Sequence, residues 1–177
     1  LDRYGLKEVS GWSFELTQIP FVEEKDVMLY YGDEYNLEEA YYFLYKIIKE
    51  KIPGALFGGF GKTVEGDWKE LSGIYSRISA NNMKPDFVSF LLFPYEEVNV
   101  KSGKQLRRVA RDPDNEMLQI RQMRRMMKSC GLSNSKLYIT EWNESISNRN
   151  YINDSCFRGC YFAATIEKIL GQVDMLS

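Results

Sequence analysis

The sequence contains no histidine. That removes every Ser-His-Asp or Cys-His mechanism from within the chain and takes away the commonest transition-metal ligand. Catalysis would have to run on carboxylates, lysine, tyrosine or cysteine, and no cofactor or metal is called for. Cysteine is scarce and odd in number: Cys130, Cys156 and Cys160. Cys156 and Cys160 stand four apart in a helical pattern, which puts both on one helix face as reduced thiols and points to a reducing, cytoplasmic compartment. In that compartment the N-x-S sequences at Asn143 and Asn153 are coincidental. No apolar run approaches the roughly 18 residues that a membrane-spanning helix needs, so no membrane partner is expected. Charge of one sign is also lacking. Lys and Arg total 23 against 25 Asp and Glu, a net charge of −2, which argues against broad nucleic-acid binding because phosphate neutralisation needs a basic excess.

What is present is an alternation of two periodicities. "GWSFEL" (11–16) is rich in aromatic and apolar residues and reads as a strand. Leu37, Ala40, Tyr41, Leu44, Tyr45 and Ile48 recur at helical spacing over 37–51, with Asn36 as cap and Glu39 three residues on. "GALFGGFG" (54–61) reads as a buried strand with a glycine-rich exit. A helix capped by Asp67 follows, with Trp68, Leu71, Ile74, Tyr75 and Ile78 as its apolar stripe. "DFVSFLLF" (86–93) reads as a strand buried on both faces. A polar, basic loop is expected from Glu96 to Arg111. Asp112 then caps a helix with Pro113 at its first position, stopped by Gly131. "KLYITE" (136–141) is the next strand. A polar loop leads to Asp154, read as the cap of a helix carrying Phe162, Ile166, Ile169 and Leu170, and "VDMLS" begins one more strand.

Strict strand–helix alternation predicts a parallel sheet with right-handed crossovers. An eight-stranded barrel needs about 200 residues or more. The alternatives are therefore an open α/β sheet or about half of a barrel. The first residue, Leu1, and the closing apolar run read as the ends of a piece taken from a longer protein.

Three motifs invite functional readings. "GGFGKT" (58–63) resembles a phosphate loop, but Leu56 stands where that pattern needs its first glycine and no helix is predicted from Lys62. A strand exit that needs positive φ is the simpler reading. Lys101, Lys104, Arg107, Arg108, Arg111, Arg121, Arg124, Arg125 and Lys128 form a basic stretch, expected to be a solvated loop and helix face. Met117, Met123, Met126 and Met127 on the same helix are expected to be core. "EWN" at 141–143 is more specific. Carboxyl ends of strands carry the chemistry of parallel α/β folds. A carboxylate there can attack an anomeric carbon beside an aromatic that stacks on sugar; the alternative is a polar residue at a strand tip.

Longer stretches carry a family resemblance. "RYGLKEVSGWSFEL", "PDFVSFLLFPY" and "LYITEWNESISNRNYINDSCFRGCYFAATIEKIL" resemble, in order, the approach to the fourth strand, the sixth strand, and the seventh strand with its helix in glycoside hydrolase family 39, the β-xylosidase type. The chain looks most like the divergent version found in bacterial AraC-type transcription regulators. The resemblance implies a (β/α)8 barrel of which this chain supplies strands four to eight, as one partial domain over residues 1–177. It makes Glu141 the match to the nucleophile, with Trp142, Asn143, Gln18 and Tyr95 as candidate sugar contacts.

Two departures follow from the same alignment. The family closes its fourth strand with W-N-E-P, and here those positions are Thr17, Gln18, Ile19 and Pro20, so isoleucine replaces the acid/base glutamate. In the sixth strand Leu91 replaces a pocket histidine and Phe93 a tyrosine. Retaining hydrolysis needs two carboxyl groups about 5 Å apart, and acid–base help is worth roughly 10²- to 10⁴-fold. Replacement of the acid would fall to Glu15, Glu23, Glu24 or Glu144, with Glu15 expected to lie too deep. The expectation is a non-catalytic sensor or scaffold domain of a cytoplasmic regulator, with a saccharide effector. DNA contact would belong to a separate helix-turn-helix domain outside this chain. The rivals are an active β-glycosidase with a relocated acid, and an interaction module whose pocket is filled by Ile19, Leu91 and Phe93. An incomplete barrel also predicts self-association or packing against the missing half.

Overall fold

Apolar residues at alternate strand positions and at every third or fourth helical position must meet across a common interface, and they do. The computed structural model describes residues 1–17, 37–63, 68–99, 105–110, 112, 114–145 and 151–177. Its elements are α1 (Gly5–Val9), β1 (Ser13–Thr17), α2 (Leu37–Lys51), β2 (Leu56–Thr63), α3 (Trp68–Ala80), β3 (Phe87–Leu92), β4 (Tyr95–Asn99), β5 (Gln105–Val109), α4 (Asn115–Ser129), β6 (Lys136–Trp142), a 3-10 turn (Tyr151–Asp154), α5 (Cys156–Ile169) and β7 (Met175–Leu176). The main sheet has the order β1-β2-β3-β6-β7 and every pairing in it is parallel. No helix among the described residues is long and apolar enough to cross a membrane.

The core lies between the sheet and the helices. Val88, Phe90 and Leu92 of β3 and Leu137 and Ile139 of β6 pack with Tyr41 of α2, Tyr75 and Ile78 of α3, and Ile120, Met123 and Met127 of α4. Burying each such side chain contributes roughly 1.5–3 kcal/mol. The methionine set is core as expected: Met123, Met126 and Met127 are buried, and Met117 packs against them. Buried polar groups are tied in. The Tyr41 hydroxyl donates to the Met83 carbonyl at 2.8 Å and the Tyr75 hydroxyl to the Gly59 carbonyl. Asp86 accepts from the Phe57 N–H at 2.7 Å and from Lys49 at 2.6 Å, which pins the start of β2 to α2. Asp174 does the same for β6 and β7, accepting from the Leu137 N–H at 2.8 Å and from Arg124 at 3.0 Å. Burial pushes its carboxyl up, but those two donors outweigh it and hold it below the usual carboxylate range.

Four sequence expectations are corrected. The segment read as a loop from Glu96 to Arg111 contains the antiparallel hairpin β4–β5. Its register sets Glu96 opposite Arg108 and Glu97 opposite Arg107. Helix α4 is capped at Asp114, not Asp112; Asp112 instead accepts the Asp114 N–H at 2.8 Å, as a turn residue does. Asp154 closes the 3-10 turn, and the extended residue Ser155 caps α5. The short helix α1 carries no periodic signal and was not expected. Gly61 has φ +59 at the glycine-rich exit and Gly131 has φ +74 after α4, both as read. The caps Asn36 and Asp67, and also Pro113, Lys101, Lys104 and Arg111, lie outside the described residues.

Strand β2 comes close to β3 at Gly58, where an added Cβ would stand 2.0 Å from the Phe87 carbonyl oxygen. Gly159, inside α5, would place a Cβ in open space. Gly58→Ala is expected to lower stability by about 3 kcal/mol, because backbone must move. Gly159→Ala is expected to raise it by up to about 1 kcal/mol through helix propensity. Urea denaturation of both variants checks the pair.

Candidate functional site

Strand alternation sorts the side chains onto two faces. Phe14 and Leu16 of β1 pack on the helix-side core, so Ser13, Glu15 and Thr17 face the other way. By the same rule Phe87, Ser89 and Leu91 of β3, and Tyr138 and Thr140 of β6, lie on that second, concave face. Its floor is the stacked pair Phe87 and Tyr138, with ring centroids 4.4 Å apart. Above it the Thr140 hydroxyl donates to the Glu15 carboxylate at 3.1 Å. β1 and β6 are separated by two strands in the sheet, so this contact exists only because the sheet curls.

The register slips at the end of β6. Phe90 pairs with Ile139, but Leu91 pairs with Glu141 and Leu92 with Trp142. Parallel partners share a face, so the slip keeps Glu141 with Leu91 on the concave side and turns Trp142 to the helix layer. Glu141 is exposed. Trp142 packs on Phe162 of α5 at 4.7 Å between ring centroids. Asn143 is half-buried and its side-chain oxygen accepts the Glu144 N–H at 3.0 Å. Gln18 and Ile19 lie outside the described residues, as do Glu23 and Glu24. Leu91 is half-buried and Phe93 is buried. The reading of Glu15 as too deep needs revision, since its carboxylate touches the residue next to Glu141.

Tyr95 and Glu144 are placed elsewhere. Both line a cavity of about 360 Å³ at the carboxyl end of the sheet, between the hairpin, α4 and α5. Glu141 is not among its lining residues. The Glu144 side chain is 2% exposed and its Oε2 lies 3.5 Å from Arg158 Nε. Among the described residues neither oxygen has a hydrogen-bond partner. The Tyr161 hydroxyl donates to Glu116 at 2.8 Å. Burial, reinforced by the Glu116 carboxylate, pushes the Tyr161 phenol well up, so it remains a donor. Glu116 and Tyr161 escape sequence reasoning because each sits at an ordinary helical position, 45 residues from the other. No group of three or more His, Cys, Asp and Glu among the described residues is placed to hold a metal ion. Cys156 and Cys160 are free, exposed thiols.

Residues 1–177 match the family described as glycosyl hydrolases family 39. A search of curated proteins gives no match. Among solved structures, the chain is similar to a family 39 glycoside hydrolase enzyme from Xanthomonas axonopodis pv. citri, with TM-score 0.71 and 24% identity over 99% of this chain and 34% of that one. It is also similar to a monomeric β-xylosidase from Caulobacter crescentus, with TM-score 0.69 and 22% identity over 99% of this chain and 35% of that one. A glucosidase from Croceicoccus marinus gives 0.62 and 18%, over 96% and 32%. The chain thus spans about a third of the length of each. At these identities the likeness is one of fold: five parallel strands backed by helices are part of a (β/α) barrel.

Among the described residues, the Glu15–Thr140 bond is the one hydrogen bond between side chains across the concave face. Thr140→Val is expected to cost about 1 kcal/mol, the usual net value of such a bond. In a double-mutant cycle with Glu15→Gln, followed by urea unfolding, the two losses should fall short of adding.

Proposed function

Since the chain belongs to glycosyl hydrolase family 39, we propose that it supplies the sugar-facing part of a β-xylosidase-like barrel that binds a saccharide without hydrolysing it. In this reading it is a sensor or scaffold domain of a cytoplasmic AraC-type transcription regulator. The observation that carries it is the position of Glu141, exposed at the carboxyl end of β6 and paired in register with Leu91 on the concave face. A carboxylate there accepts sugar hydroxyls and stands where an anomeric carbon would be attacked. By the family resemblance the acid position falls on Ile19, and an isoleucine can neither protonate a leaving oxygen nor activate water. Leu91, in place of a histidine, adds no donor.

Asn143 and Gln18 are further proposed sugar contacts. Trp142, turned onto Phe162, supports the strand tip from behind. Tyr95 would reach the sugar only by moving out of the outer cavity. DNA contact is left to a separate helix-turn-helix domain, and the rest of the barrel or a second copy covers the edges at β1 and β7. Regulation then requires the saccharide to favour one of two states of the protein.

One observation favours a second reading. Glu15 lies against Thr140, next to Glu141, so it is a candidate relocated acid in an active β-glycosidase.

Calorimetric titration of the longest natural form of the protein with xylose, xylobiose and arabinose tests both, alongside release of xylose from xylobiose. Binding without release, lost in Glu141→Ala, is the expected result. Release that disappears in Glu15→Gln would replace it with the second reading. Neither binding nor release would leave an interaction module with a filled pocket.

A further inference from the structure

The outer cavity has a polar group that the sugar-facing side does not explain. Glu116 sits in the first turn of α4, where the helix dipole favours a carboxylate, and it accepts the Tyr161 hydroxyl. Glu144 has no such support. It follows β6 outside any helix, its side chain is almost wholly buried, and both oxygens lack a hydrogen-bond donor among the described residues. Among the described residues its one charged contact is Arg158, at a long 3.5 Å. A buried carboxylate left in that state is costly unless a donor reaches it.

The cavity can admit that donor. Its volume is within the range of small-molecule sites. Pro94, Val109, Ala110, Phe157 and Ala164 give it apolar walls. Among the described residues, Asp112, Glu116 and Glu144 line it with a single cation, Lys168, which is held by Asp114 at 2.9 Å. That described lining is acidic and disfavours anions. A neutral molecule would satisfy the walls but would bring a weaker donor to Glu144 than a cation brings.

We propose that this cavity binds a compact organic cation, an ammonium group on an apolar body, whose N–H groups are taken by Glu144. The site lies between the hairpin, the start of α4 and one face of α5, separate from the concave face that carries Glu141. It gives the domain a second, chemically distinct ligand.

Benzylamine and its neutral, equally shaped counterpart benzyl alcohol are the probes, titrated calorimetrically into the full chain. Benzylamine should saturate and bind at least about tenfold more tightly than the alcohol, the ratio set by a charge-assisted bond. Glu144→Gln should bring benzylamine down to the affinity of the alcohol. Ala164→Trp, which fills the cavity and leaves the carboxylates in place, should abolish binding of both. The proposal is overturned if benzylamine fails to saturate at millimolar concentration, if the alcohol binds equally well, or if Ala164→Trp leaves benzylamine binding unchanged. Should Glu144→Gln not fold, the amine–alcohol ratio and the Ala164→Trp result still decide.

Discussion

The close approach of β2 to β3 at Gly58 is the constraint on which the architecture rests. A side chain there would collide with the Phe87 carbonyl, so only glycine lets these parallel strands meet at that register. Strand β2 then contributes bare backbone to the concave face at Gly58. With the strands this close, the sheet curls until Glu15 of β1 touches Thr140 of β6. A flat sheet would hold those residues on opposite flanks. The helix side shows the complementary need: Phe57 and Phe60, on the same strand, are filled against Tyr41 at 5.1 and 5.6 Å between ring centroids.

The slip at Thr140 has a comparable effect on chemistry. In an unbroken strand Glu141, coming after concave-facing Thr140, would turn to the helix side, and Trp142 would face the concavity. With Leu91 paired to Glu141 the carboxylate is carried to the concave face and the indole to the core. Bulges re-aim side chains next to functional sites in this way. The next carboxylate, Glu144, turns into the helix layer beside Arg158. Two glutamates three residues apart therefore face different surroundings, Glu141 the concave face and Glu144 the outer cavity.

Much of the fold was legible in the sequence because strong apolar periodicity leaves little choice. The stripe of α2 from Leu37 to Lys51 was read to its ends, and β3 was read as buried on both faces. The hairpin was missed because its segment was read as polar and basic; its signal was the Glu96–Glu97 pair set to face Arg107–Arg108. The end of β6 was legible as a site through Glu141, whose likeness to a family nucleophile rests on a long, specific stretch. The opposite facing of Trp142 was not legible, since a one-residue slip leaves no mark in composition. Glu144 was visible only as a spare carboxylate, because its burial depends on α4, α5 and the hairpin meeting around it.

Chemical trapping of the nucleophile examines the position of Glu141 most directly. A 2-deoxy-2-fluoro-β-xyloside with a dinitrophenolate leaving group needs no acid to depart, and the fluorine slows hydrolysis of any ester formed. After incubation with the longest natural form of the protein, mass spectrometry of its peptides should find the fluoroxylosyl adduct on Glu141, although xylobiose is left intact. An adduct on Glu15, or no adduct in folded protein that binds xylobiose, would contradict the placement of Glu141 at the anomeric carbon.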